Sequence, residues 1–149
     1  MIPSRQMPLY PMLDDRDTES SRNNHGKVWN TRKNHLAWRL CLQGTLKGRI
    51  PAYAQDVSGL LPAYTFVGDG EPFYAETLRY IGALKSAGIP ADVDIYHTDV
   101  HAFDMMCPEL EISKAAAEKF NRFLPMRGSI FLRKMRNQQA IRKTACWFS

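Results

Sequence analysis

Between residues 60 and 96 the hydrophobic pattern changes period twice, and this change limits the possible folds more than any other feature of the chain. Leu60, Leu61, Pro62, Ala63, Tyr64, Thr65, Phe66 and Val67 form a nearly unbroken apolar run stopped by Gly68, Asp69 and Gly70, which reads as a buried strand opening into a loop. Over residues 73–87, Phe73, Thr77, Tyr80, Ile81 and Leu84 recur at helical spacing, and Gly88 and Pro90 supply stop signals. Asp92, Val93, Asp94, Ile95 and Tyr96 then alternate as a half-buried strand does.

The flanking sequence extends the alternation. Residues 6–13 (QMPLYPML) read as a strand closed by Asp14, Asp15, Arg16 and Asp17, and residues 28–43 read as a helix ended by Gly44. Residues 47–58 look irregular, and residues 113–124 read as a last helix with Ser113 as N-cap. Strands alternating with helices predict an α/β fold: a sheet of about three parallel strands with covering helices.

At 149 residues with 44% hydrophobic content the chain supports one core. The expected division is one domain over residues 1–127 and a basic tail over residues 128–149. Seven of the 20 Lys and Arg side chains follow Phe120 with no acid among them, and residues 1–120 carry a net charge of −2. The overall basicity is therefore a property of the tail and does not by itself indicate a nucleic-acid function. No apolar run approaches the roughly 18 residues of a membrane span, and the first residues lack a signal-peptide core. Both point to a cytoplasmic protein without a membrane partner. Cys41, Cys107 and Cys146 fit no disulfide framework or zinc motif and read as free thiols.

Ligands of open parallel α/β sheets gather beyond the carboxyl ends of the strands. Two loops there are rich in ionisable groups: one holds Asp69 and Glu71, the other His97, Asp99, His101 and Asp104. Neighbouring strands lie about 5 Å apart, so a carboxylate on one loop can orient a histidine on the next. On spacing alone either Asp69 or Glu71 could be that carboxylate. A metal cluster of His97, His101, Asp94, Asp99 and Asp104 matches no ligand motif, and neither a metal nor an organic cofactor is expected.

Residues 61–76 (LPAYTFVGDGEPFYAE), the spacing to residues 92–96 (DVDIY) and residues 101–104 (HAFD) resemble the last strands of the hormone-sensitive-lipase-like α/β-hydrolases. The opening QMPLYPMLDDRD resembles the strand after the nucleophile helix of those enzymes, so the resemblance spans residues 6–124. In that family the acid precedes Pro and a bulky apolar residue, which falls on Glu71, and the histidine precedes a small residue and Phe, which falls on His101. The order acid then histidine agrees. The resemblance implies cleavage of small carboxylic esters through an acyl-serine without a cofactor, with His101 moving the proton and Glu71 holding its tautomer.

Two parts of that machinery have no counterpart in the sequence. None of Ser4, Ser20, Ser21, Ser58, Ser86, Ser113, Ser129 or Ser149 sits in a Gly-x-Ser-x-Gly elbow, and the glycine-rich oxyanion segment has no match. The expected function is a carboxylesterase-like or lipase-like fragment carrying Glu71 and His101, inactive in ester hydrolysis alone. Two other readings stand beside it: a non-catalytic assembly protein, and a binder of membrane surfaces or nucleic acid through its tail. The expected partner is another copy of the chain, through residues 6–13, or a missing N-terminal hydrolase half.

Overall fold

In the computed structural model the apolar run becomes β1, Ala63–Gly68, with every residue buried. The aromatic and β-branched side chains of Tyr64, Thr65, Phe66 and Val67 suit a strand covered on both faces. β1 pairs in parallel with β2, Ala91–Tyr96, in a register running from Ala63 opposite Ala91 to Gly68 opposite Tyr96. β2 is buried at Ala91, exposed at Asp92 and Ile95 and intermediate elsewhere, so the strict alternation of its sequence is not kept in its exposure. The structure describes residues 5–43 and 50–123, so the basic tail of residues 128–149, the tail boundary and Cys146 lie outside the described residues.

The helix of residues Tyr74–Ser86 makes the crossover between the strands. The elements in order are α1 (Thr31–Cys41), a 3-10 turn (Pro51–Tyr53), β1, α2 (Tyr74–Ser86), β2, α3 (Phe103–Met106) and α4 (Glu111–Phe123). α2 turns Ile81 and Leu84 onto Ala63 of β1 and Ala91 of β2, with Val57, Tyr80, Ile89 and Val93 packed around them. Fully burying side chains such as Ile81 and Leu84 stabilises the fold by ~1.5–3 kcal/mol each. α2 ends as its glycine signal requires. Gly88 takes φ 77°, its N–H donates to the Lys85 carbonyl (3.0 Å), and Ile89 N–H donates to Leu84 (2.9 Å), a Schellman closure that returns the chain into β2.

Residues 6–13 depart from the expected strand. Gln6 forms a parallel bridge with Ala63, donating to Pro62 O (2.8 Å) and accepting from Tyr64 N (3.1 Å). Among the described residues this pairing goes no further as a ladder. Pro8 and Pro11 have no N–H to give, and Tyr10 between them adopts a left-handed backbone. Thr65 Oγ1 nevertheless donates to Pro8 O, so the segment still follows β1.

Contacts divide the chain into two units, Met1–His101 and Ala102–Ser149. In the first, α1 starts later than the sequence predicts, at an Asn30 cap whose side chain accepts from Lys33 N (3.1 Å). In the second, α4 begins at Glu111, before the expected Ser113. Ser113 is therefore not the cap. It lies in the first turn and donates its hydroxyl to Phe103 O (3.1 Å), tying α4 to α3. Among the described residues no helix is long and apolar enough to cross a membrane.

Candidate active site

The exit loop of β1 folds back on itself at once. Glu71 N–H donates to Gly68 O (3.1 Å), and the Glu71 side chain returns so that Oε1 accepts from Gly68 N–H (2.8 Å). This return buries the carboxyl completely, at 0% exposure. Gly68 permits it. A β-carbon there would stand 2.4 Å from Thr98 O and 3.1 Å from Glu71 Cγ, distances that real side chains do not tolerate together. The loop after β2 closes on the first through Asp69 N–H to Tyr96 O (2.9 Å) and Gly70 N–H to Thr98 O (3.1 Å).

The second carboxylate oxygen of Glu71, Oε2, lies 2.8 Å from Nδ1 of His101. An ionised carboxylate can only accept, so Nδ1 carries the proton of this bond and Nε2 is left unprotonated in the neutral ring. Three aromatic rings pack on the imidazole: Phe73 at 5.0 Å, Tyr10 at 5.1 Å and Trp29 at 5.4 Å between ring centres. The His101 side chain keeps 14% exposure. A pair so enclosed interacts in a lower dielectric than water, which strengthens its hydrogen bond.

Asp69, the other carboxylate on the loop, pairs elsewhere. Its Oδ2 lies 2.8 Å from His97 Nδ1 and its Oδ1 accepts from Thr98 N–H (3.2 Å). The His97 ring is 99% exposed. The hydrogen bond with His97 holds Asp69 below the usual carboxylate range, and the same bond raises His97 above an ordinary histidine. The two carboxylates left open by the sequence are thus separated by geometry, Glu71 to a half-enclosed histidine and Asp69 to a solvated one. Among the described residues no group of three or more His, Cys, Asp or Glu converges as a metal site needs. An open cleft of about 470 Å³ lined by Glu19, Ser20, Asp69, Tyr74, Ala75, Leu78 and Arg79 flanks the loop without including Glu71 or His101.

Sequence reasoning missed four residues. Ser20 donates to Pro72 O (2.7 Å) and accepts from Ala75 N (3.0 Å), stapling the acid's loop to the start of α2 across more than 50 residues. Tyr10 and Trp29 wall the histidine ring, and nothing in their sequence context marks them for that place. Glu76, in the first turn of α2, is 98% buried: Oε1 accepts from Leu13 N–H (3.0 Å), and Oε2 has no hydrogen-bond partner among the described residues. Burial pushes its carboxyl up to about 8. A helix-start glutamate carries no sequence signal for such burial. Among the described serines, none is hydrogen-bonded to His101.

The model of a family described as alpha/beta hydrolase fold matches residues 2–105. A search of curated proteins gives no match. Among solved structures the chain is similar to esterase LipW from Mycobacterium marinum, with 28% identity, TM-score 0.68, and coverage of 74% of this chain and 36% of that one. It is similar also to an esterase from the bacterial hormone-sensitive lipase family, with 26% identity, TM-score 0.72, and coverage of 83% and 43%. An esterase/lipase from an uncultured bacterium, at 19% identity and TM-score 0.70, shares the fold over 94% of this chain and 45% of its own. The chain therefore spans less than half the length of these structures.

Proposed function

Because the chain belongs to the α/β-hydrolase fold family, we propose that it provides the acid and the general base of a serine ester hydrolase, with Glu71 and His101 in those roles. The observation that carries this reading is the 2.8 Å contact between a fully buried Glu71 carboxylate and His101 Nδ1, in the chain order acid then histidine. The similar solved structures are esterases by their descriptions.

The chemistry follows from the two nitrogens of the ring. His101 Nε2 takes the proton of a serine hydroxyl as its oxygen attacks the ester carbonyl, then returns that proton to the departing alcohol and leaves an acyl-serine. Water, deprotonated by the same nitrogen, then attacks the acyl carbon; the bond to the serine oxygen breaks, Nε2 returns the proton to that oxygen, and the acid leaves. Glu71 keeps the proton on Nδ1 and stabilises the imidazolium formed midway. Its own Oε1 is fixed by Gly68 N–H, so the carboxylate cannot rotate away while the ring changes charge. The sequence holds no Gly-x-Ser-x-Gly, and the reading assigns the nucleophile and the oxyanion donors to another polypeptide segment. This chain by itself is then inactive on esters.

Hydrolysis of p-nitrophenyl acetate tests both halves. The chain alone should match a double variant, Glu71→Ala with His101→Ala. A single-site phosphonate adduct on serine that depends on His101 would overturn the assignment of the nucleophile elsewhere. When the chain is supplied with a hydrolase segment bearing the Gly-x-Ser-x-Gly elbow, turnover should appear and Glu71→Gln should lower it by about 10⁴-fold. Turnover indifferent to Glu71 and His101 would remove the acid–base assignment.

A further inference from the structure

Tyr10 touches the imidazole from a backbone conformation that needs an explanation. Its φ is 51°, in the left-handed region that residues with a β-carbon seldom enter. It also directly precedes Pro11, a position biased toward extended backbone. The chain is pinned on both sides of it. Before it, Gln6 bridges Ala63 and Pro8 O accepts from Thr65 Oγ1. After it, Leu13 N–H is held by buried Glu76, and buried Asp14 is gripped by the Arg16 guanidinium at 2.8 Å through each oxygen.

The result of this bracing is a ring set on edge. Tyr10 meets His101 at 5.1 Å and 73°, and Phe66 of β1 at 5.9 Å and 86°. Its phenolic oxygen is buried with no hydrogen-bond partner among the described residues, so the side chain acts here through its shape. Unfavourable backbone persists only where the surroundings over-determine it, and such outliers gather at functional sites.

We propose that Tyr10 is a positioning residue for His101: the left-handed turn at residue 10 delivers an aromatic edge that fixes the plane of the imidazole and keeps Nδ1 on Glu71. The inference rests on the acid–base reading of that pair. Trp29 and Phe73 complete the wall, but Tyr10 reaches it from a strained backbone held at both ends.

Nitrogen NMR of the labelled full chain tests it, with His97 as the internal control. In the wild type, His101 should show a single Nδ1–H tautomer and a slowly exchanging Nδ1 proton. Tyr10→Phe should leave both unchanged, since only the orphan hydroxyl goes. Tyr10→Leu should lose the slow exchange and give a mixed tautomer at His101 while His97 stays the same. Tyr10→Gly, which relaxes the backbone as it removes the ring, asks the same question without the risk of strain-driven unfolding and should show the same loss. Retention of the wild-type His101 signals in either folded variant, or a change in Tyr10→Phe, would overturn the proposal. The readout is independent of turnover. A normal His101 signature in a reconstituted but inactive hydrolase counts against the proposed function alone, and an active one whose His101 signals ignore Tyr10 counts against this inference alone.

Discussion

Replacing Glu76 by Gln isolates the energetic effect of a buried carboxyl on this fold. Desolvation raises the folded-state value from 4.5 to about 8, and the hydrogen bond from Leu13 N–H offsets only part of the cost. Below 4.5 both folded and unfolded chains hold the proton, and Glu76 costs the fold nothing through ionisation. Between 4.5 and 8 the unfolded chain releases the proton while the folded chain keeps it, so stability falls as pH rises. At ~1.4 kcal/mol for each pH unit across that window, the loss approaches roughly 5 kcal/mol by the upper end. That is a large share of the ~5–15 kcal/mol that holds an ordinary domain together.

Glutamine keeps the acceptor for Leu13 N–H and abolishes the titration, at the cost of a buried amide that takes a pH-independent penalty of about 1–3 kcal/mol. The slope is therefore the informative quantity. Urea unfolding of both proteins, followed by tryptophan fluorescence from acid to mildly alkaline pH, should show the difference moving steadily in favour of Glu76→Gln as pH rises. Groups that do not interact with Glu76 titrate equally in the two proteins and cancel. Parallel stability curves would refute the burial argument, because they would mean that Glu76 ionises in the folded chain as readily as in the unfolded one.

Gly68→Ala should destabilise the fold by about 1–3 kcal/mol, as overpacking against rigid backbone does; its β-carbon would meet Thr98 O at 2.4 Å. Thermal unfolding gives the stability, and loss of the protected His101 imidazole proton would show the Glu71 contact opening with it. Asp69→Asn removes the negative charge whose hydrogen bond raises His97, so His97 should titrate at lower pH by proton NMR. Because that ring is exposed to solvent, the melting temperature should not move.

The elements most legible in the sequence were those whose signals are local. β1 announced itself by eight consecutive mostly apolar residues and three stop residues, and α2 by its period and by Gly88, whose positive φ is the conformation that its place after the helix demands. The fold class followed from their alternation. Residues 6–13 were harder. Their apolar pattern says strand, while Pro8 and Pro11 withhold the N–H groups a ladder needs, and the structure keeps a single bridge at Gln6 and turns at Tyr10. Ser113 shows the same limit at smaller scale, since a serine before a helical pattern reads as a cap and only the position of Phe103 O shows that its hydroxyl is engaged elsewhere.

The acid of the candidate site shows where local reasoning stops and why. Asp69 and Glu71 leave the same strand two residues apart, both within reach of a histidine on the next loop, and nothing in their spacing separates them. The separation comes from contacts across about 30 residues. Thr98 N–H claims Asp69 and turns it to solvent beside His97, whereas Gly68 offers its own N–H and the empty space of a missing β-carbon to Glu71, which folds inward. Burial then distinguishes the pairs chemically. The Glu71–His101 contact is enclosed by Phe73, Tyr10 and Trp29, while Asp69–His97 is screened by water. Two acid–histidine pairs of equal length, 2.8 Å each, therefore differ in their surroundings: the proposed acid–base role falls to the enclosed one, and the residues that enclose it lie in segments that carry no catalytic motif.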